Sequence, residues 1–263
     1  MATIIDLRAV VSPKAVIGDG VHVGPFSVIE DDVTIGEGTW VGAHAVVHSG
    51  SHVGRDCKIH SMAAVGGPPQ DLKYRGEPTI IEIGDNTVIR EFVTLNRGTI
   101  ETGRTSIGSN CMFMAYSHVG HDCVVGDNVI MANCCALGGH VHLGHWVILG
   151  GLTPVHQFCT IGDHAMVGGG FRVVKDVPPY VLAGSEPLIF ERLNIVGLRR
   201  RGFSDKSIEV LDKTYRLIYR SSLNVSQAVA RIKEEVEQTP EVQAVLTFIA
   251  RSKRGIISGY AHH

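Results

Sequence analysis

No run of 18 consecutive apolar residues occurs anywhere in this 263-residue chain. A membrane-crossing helix needs about that length, so none is expected. Met1 is followed by Asp6 and Arg8, not by the apolar stretch of a signal sequence. These features lead us to expect a soluble cytoplasmic protein. Neither sign of charge dominates, and the net charge of −2 argues against a general nucleic-acid binder. There is no CxxC motif, and the adjacent Cys134 and Cys135 are not a spaced ligand pair. A flat threonine-rich face is also missing, which speaks against a passive adsorbing surface.

What is present is a period of six. From Val11 to Val173, every sixth residue is apolar in one unbroken phase, at 25 of 28 positions. A composition of 44% hydrophobic residues would give about 12. The exceptions are Asp71, Glu77 and Glu101, and the phase resumes unshifted after each. Neither a helix nor a flat strand has this period, whereas a coil of short strands and turns does. Glycine often follows the apolar residue, as at Gly24, Gly120 and Gly126, and is expected to supply positive φ at tight corners. Four places after the apolar residue stands a small or β-branched one. Cys57, Cys111, Cys123, Cys135 and Cys159 all fall in that slot, so they read as buried fillers, with no disulfides expected.

The pattern matches the hexapeptide repeat, and the chain resembles the left-handed parallel β-helix acyltransferases, in which three hexads make one 18-residue triangular coil. The left-handed sense is implied by that resemblance. The polar stretch 66–78 keeps register and reads as an excursion from the stack, the kind of loop that carries function. Beyond Asp176-Val177-Pro178-Pro179 helical signals replace the rhythm. Residues 188–201 read as a basic helix ended by Gly202. Ser204 caps a helix through Arg220, Asn224 or Ser226 starts one through Glu237, and Thr239-Pro240 opens one to about Lys253. The expected architecture is a mainly β chain: a left-handed parallel β-helix over 1–180, then a small C-terminal α-helical domain over 181–263.

Fourteen histidines are many, and His22, His44, His52 and His145 occupy outward slots expected to face solvent. One group differs. Val119, Leu137 and Val155 are 18 residues apart and so lie above one another. The slot two places on is then a column of His121, Gly139 and Gln157, within about 10 Å by strand spacing. His118, His140 and His156 run beside it. A histidine base, a neighbouring Asp122 to orient it and a glycine amide for an oxyanion suit acyl transfer to a hydroxyl.

The ordered strings Gln70-Asp71-Leu72-Lys73-Tyr74, Ile89-Arg90-Glu91, Arg97-Gly98-Thr99 and Ser117-His118-Val119-Gly120-His121-Asp122-Cys123 narrow the resemblance. So do Val155-His156-Gln157-Phe158 and Gly197-Leu198-Arg199-Arg200-Arg201-Gly202-Phe203. With them the chain resembles the acyl-carrier-protein:UDP-N-acetylglucosamine O-acyltransferases over nearly its whole length. The resemblance implies a homotrimer with sites between neighbouring solenoids. It implies transfer of a 3-hydroxyacyl group from acyl carrier protein to the glucosamine 3-position of UDP-N-acetylglucosamine, the first step of lipid A biosynthesis. It makes His121 the general base, Asp122 its partner and the Gly139 amide the oxyanion donor. His118, His140 and His156 line the cleft, Asp71 and Lys73 reach the sugar nucleotide, and Gln157, Asn194 and Arg200 hold its uridine diphosphate end. Gly169 matches a position that limits acyl-chain depth. No cofactor and no metal are implied.

The chain departs from the family pattern at Val196, where an acidic residue is usual, and at Asn96, where a histidine is usual. Both departures leave open whether the acceptor is UDP-N-acetylglucosamine or its 3-amino analogue. A zinc-dependent γ-type carbonic anhydrase on the same fold would use His118, His121 and His140. It leaves the 70–73 loop and the arginine-rich segment unexplained. The sister N-acyltransferase normally carries an extra N-terminal domain, whereas here the repeat begins within the first dozen residues.

Overall fold

The computed structural model describes residues 2–259. Its first two thirds are a three-sided prism of parallel strands, mostly two residues long. Face 1 has eleven strands, from Ile4–Ile5 to Ile189–Leu193. Face 2 has eight, from Val10–Val11 to Pro154–Val155, and face 3 has eight, from Val16–Ile17 to Thr160–Ile161. Strand partners are 18 residues apart, as in Val28↔Val46 and His118↔Ala136. The spacing widens to 30 at Ala64↔Thr94 and to 24 at Thr94↔His118. The excursions therefore add two hexads and one hexad, which is why the apolar phase survives them.

The inward slots fill the prism. Val23, Val41, Ile89, Phe113, Leu137 and Val167 are all fully buried. The small slot is as tightly closed, with Cys57, Cys123, Cys135 and Cys159 at 0% exposure. Several of these thiols also act as weak donors to the coil above: Cys123 Sγ is 3.2 Å from Gly138 O and Cys135 Sγ is 3.0 Å from Gly150 O. Burial pushes the Cys123 thiol up to about 12 and the Cys111 thiol to about 11, so both stay neutral fillers.

The glycines after the apolar slot have a different role from the one expected of them. The left-handed backbone lies two places further on, at Phe26, His44, Asp122, His140 and Phe158. The glycines instead sit where coils touch. A Cβ at Gly120 would lie 2.8 Å from Leu137 O, and one at Gly126 would lie 2.8 Å from the backbone of Gly144. Close coil stacking, not positive φ, selects glycine there.

After the last full coil, Val181–Gly184 pairs with Met166–Val167 and then antiparallel with Ile189–Leu193. The helix expected over 188–201 is thus a strand followed by a six-residue helix α1, Ile195–Arg200. Pairing to the open edge of face 1 outweighs the local helical signal and covers that edge. The other starts stand as read. Ser204 caps α2 (Asp205–Tyr219), Asn224 caps α3 (Val225–Glu235) with a capping box, and Thr239 caps α4 (Pro240–Arg251) with Pro240 at its first position. Tyr215 ties α2 to the prism by donating to Pro179 O at 2.6 Å. His44 and His145 are exposed as expected, whereas His22 and His52 are half-buried. No helix among the described residues is long and apolar enough to cross a membrane.

Candidate active site

The edge between faces 2 and 3 collects most of the residues singled out above. Both excursions leave from it, one between Ala64–Gly67 and Ile80–Ile83, the other between Thr94–Asn96 and Arg104–Ile107. On the next three coils the same edge carries His121-Asp122, Gly139-His140 and Gln157-Phe158.

Asp122 is the anchor. Its side chain is fully buried. It accepts from Thr99 N–H at 2.9 Å, Thr99 Oγ1 at 2.7 Å and the Thr102 hydroxyl. Its Oδ2 is 2.7 Å from His121 Nδ1. Burial by itself raises the Asp122 carboxyl, but the bonds from Thr102, His121 and Thr99 outweigh it and hold the group below the usual carboxylate range. An ionised carboxylate is an acceptor only, so Nδ1 of His121 carries a proton, and in the neutral ring it is Nε2 that presents the lone pair. The backbone at Asp122 is left-handed, with φ +59°, and its N–H donates to Thr105 Oγ1 at 2.8 Å.

Gly139 lies directly above His121. A Cβ there would be 2.6 Å from Cε1 and 2.7 Å from Nε2 of the imidazole, so only glycine leaves the ring its place. The coil-to-coil ladder uses the N–H groups of Gly138 and His140, directed at Val155 O and His121 O. The Gly139 N–H takes no part in that ladder. A base with a free nitrogen beside an unengaged peptide N–H is the pair that acyl transfer requires.

The flanking histidines divide. His140 stacks on Phe158 with ring centroids 4.6 Å apart and meets His121 edge-on at 5.2 Å. Its Nε2 is 3.4 Å from Glu101 and 3.6 Å from Asp122. Nδ1 of His118 is 2.7 Å from Thr94 Oγ1. Burial, and secondarily the charge of His121, lower the pKa of His118. His156 and Gln157 are exposed on the coil beyond, with His156 Nδ1 3.0 Å from Gln157 O. Within a single chain the metal reading's trio does not come together. The metal-ligand type atoms that converge within 4.8 Å belong to His121, Asp122 and His140, without His118.

On the first excursion, Asp71 accepts from Lys73 N–H at 2.9 Å and so shapes its own turn, while Lys73 is exposed. Sequence reasoning missed what holds this loop. Arg97 donates to the Tyr74 hydroxyl at 2.9 Å and to Gly66 O at 3.0 Å. Asn96, 5% exposed, donates to Gly67 O and Pro68 O at 3.2 and 2.9 Å, and its Oδ1 is buried with no partner among the described residues. Thr99 and Thr102 were missed as well. The only mark they left in the sequence was the break in hexad phase at Glu101.

Three expected site residues lie on other edges of the prism. Asn194 caps α1, accepting from Gly197 N–H at 3.2 Å and donating to His164 O at 3.0 Å. Arg200 lines a cleft of about 530 Å³ with Trp146, His164 and Arg201. Both belong to the edge between faces 3 and 1. Gly169 follows Met166–Val167 on the edge between faces 1 and 2, and is exposed. A single chain does not bring these three to His121.

Relatives settle the class. A chain from Trichlorobacter lovleyi named acyl-[acyl-carrier-protein]–UDP-N-acetylglucosamine O-acyltransferase is 55% identical over 97% of this chain and 99% of its own length. One of the same name from Thiobacillus denitrificans is 48% identical over 98% and 100%. This chain belongs to that O-acyltransferase family. It is an acyltransferase, and its coil is the left-handed parallel β-helix. A solved UDP-N-acetylglucosamine acyltransferase from Bacteroides fragilis superposes with a TM-score of 0.95 at 42% identity, covering 97% of this chain and 100% of that one. The Francisella novicida enzyme gives 0.95 at 35% identity, covering 98% and 95%. The bacterial transferase hexapeptide profile matches residues 32–67 and 104–139, and the profile for domain 2 of UDP-N-acetylglucosamine O-acyltransferase matches 176–257.

Proposed function

We propose that the chain moves a 3-hydroxyacyl group from acyl carrier protein to the glucosamine 3-position of UDP-N-acetylglucosamine, the first step of lipid A biosynthesis, with His121 as general base. The observation that carries this reading is the imidazole packed beneath Gly139 with Nδ1 tied to a buried, ionised Asp122. Nε2 of His121 takes the proton of the sugar 3-hydroxyl as its oxygen attacks the thioester carbonyl. The tetrahedral oxyanion accepts from the Gly139 N–H. Collapse breaks the C–S bond, and the imidazolium returns the proton to the departing thiolate. Asp122 stays ionised throughout and stabilises the imidazolium.

The reading includes a homotrimer. His121 sits on the edge between faces 2 and 3, Arg200 and Asn194 on the edge between 3 and 1, and Gly169 on the edge between 1 and 2. A neighbour presents the last two edges together only by presenting its face 1. Face 2 of one prism therefore packs on face 1 of the next, a head-to-tail contact that closes at three copies. The apolar ridge along the 1/2 edge supports this: Phe26, Met62, Phe92, Tyr116 and Leu152 are each 44–67% exposed in the single chain. In the closed ring the acyl chain runs inward toward Gly169, and the diphosphate meets Arg200.

The test is a steady-state assay crossing 3-hydroxyacyl carrier donors of several lengths with UDP-N-acetylglucosamine and its 3-amino analogue. Wild-type protein is expected to acylate UDP-N-acetylglucosamine; transfer to the 3-amino analogue alone would overturn the hydroxyl as acceptor. The His121→Ala protein should lose activity about 10²–10⁴-fold, the range for a lost general base, while staying folded with its melting little lowered. More than a few per cent of activity remaining removes His121 from the role. Stoichiometric zinc in protein inactive on these substrates would favour hydratase chemistry.

A further inference from the structure

The first excursion is tied to the prism at few points. Its entry is clipped by Asn96, on Gly67 O and Pro68 O, and by the Arg97 N–H, on Gly67 O at 3.0 Å. From Pro69 to Pro78, every hydrogen bond among the described residues but one stays inside the loop. The exception runs from Arg97 Nη2 to the Tyr74 hydroxyl at 2.9 Å, with the guanidinium also 5.8 Å from the centre of the Tyr74 ring. The hydroxyl passes the tie on by donating to Glu77 O at 2.9 Å. Arg97 is itself fixed from below, where Nη1 donates to Gly66 O at 3.0 Å and to Ser49 O at 3.3 Å. The charges of the loop divide. Asp71 accepts from Lys73 N–H and Glu77 from Arg75 N–H at 2.8 Å, so both acids are engaged in local turns. The Arg75 guanidinium turns back on Leu72 O. The Lys73 ammonium is exposed and has no ion-pair partner among the described residues.

We infer that Arg97 is the positioning residue on the acceptor side of the site: through Tyr74 it fixes where the loop presents the Lys73 ammonium, and so how tightly the anionic sugar nucleotide is held. This rests on the proposed function and gives that site a residue that acts through another. A loop whose remaining bonds are all local is placed by the one point at which it is held. The clasp also suits arginine. Its fork reaches two carbonyls and a hydroxyl at once in fixed directions, whereas a lysine ammonium is a single point on a flexible stem. The same stretch of chain continues into Thr99, whose N–H and Oγ1 hold Asp122. Residues 96–99 therefore lie between the loop and the His121–Asp122 dyad, and two kinds of damage separate. A lost clasp weakens acceptor binding, whereas a shifted backbone at Arg97 reaches Thr99 and lowers kcat.

The test uses full-length protein carrying Arg97→Met, Arg97→Lys or Tyr74→Phe, with two measurements. The first needs no substrate. Trypsin cuts after Lys73 and Arg75, and mass spectrometry follows nicking at those bonds. Arg97→Met and Tyr74→Phe are expected to nick about 10-fold faster than wild type with melting unchanged, since cleavage tracks how often the loop opens. The second is kinetic. Arg97→Met should raise KM for UDP-N-acetylglucosamine about 10- to 100-fold, the scale of a lost hydrogen bond to a charged group, and Tyr74→Phe about 3- to 30-fold. The acyl-donor KM and kcat should stay within about threefold, a loss of acceptor binding alone. Arg97→Met with Tyr74→Phe should be no worse than Arg97→Met, because both changes break the same bond. Arg97→Lys keeps the charge without the fork and should recover less than half of the lost affinity. Full recovery would mean that charge acts through space, and overturns the inference. So does unchanged nicking, an unchanged acceptor KM, an equal rise in the donor KM, or a loss confined to kcat. If wild type itself transfers no acyl group, the functional reading fails and takes the acceptor role with it, while the nicking rates still decide whether the clasp holds the loop.

Discussion

At the residue scale, the buried carboxylate of Asp122 sets the terms. It survives away from water because two threonine hydroxyls, one peptide N–H and an imidazole surround it, and removing any one leaves charge less compensated. Thr99→Val is therefore expected to lower kcat about 10- to 100-fold, with KM values within threefold, and Thr99→Ser to restore most of it. A Thr99→Val protein with wild-type kcat would show that the dyad is oriented without this loop. A second residue-scale effect concerns His164, stacked between Trp146 and Tyr180. Burial, then the Arg201 charge, push its pKa from 6.5 to about 4. The unfolded chain binds this proton first, so stability falls as pH drops from about 6.5 to about 4 and levels off below. His164→Phe, which keeps the stack, should flatten the melting temperature against pH over that window.

Elements show how much of this was legible in the sequence. The hexad, its phase, the inward cysteines and the caps Ser204, Asn224 and Thr239 were readable because each depends on neighbours a few residues away. The segment 188–201 was not, because Ile189–Leu193 folds back on Val181–Gly184, which is itself held as a strand by the more distant Met166–Val167 of face 1. The threonines on Asp122 were not either: Thr99 is 23 residues from it in sequence, and only the excursion's fold brings them together. The glycine slot was noticed but assigned the wrong cause. Contact between coils makes its own forecast. Gly126→Ala places a methyl against Gly144 and His145 of the next coil. It should cost about 1–3 kcal/mol in chemical denaturation, the usual effect of overpacking. A neutral result would mean that the coils separate more easily than their backbone distances suggest.

For the whole molecule, the proposed division of site residues among three edges makes activity depend on the proposed trimer. A charge on the apolar ridge tests this without touching the catalytic edge. Tyr116→Asp with Leu152→Glu is expected to convert the trimer to monomer in sedimentation, and to abolish transfer in proportion to the trimer lost. An active monomer would place the whole reaction on one chain and remove Arg200 and Gly169 from it.

The detours at the catalytic edge, worth 12 and 6 residues, rejoin the winding on the beat. Whole hexads can be added or removed there while the strand register and the inward packing stay as they are, provided Thr99 and Thr102 keep their bonds to Asp122. The winding of the prism and the content of its loops are thus set separately. Changes at the exposed tip of the first detour, as at Leu72, can accumulate without loosening the prism.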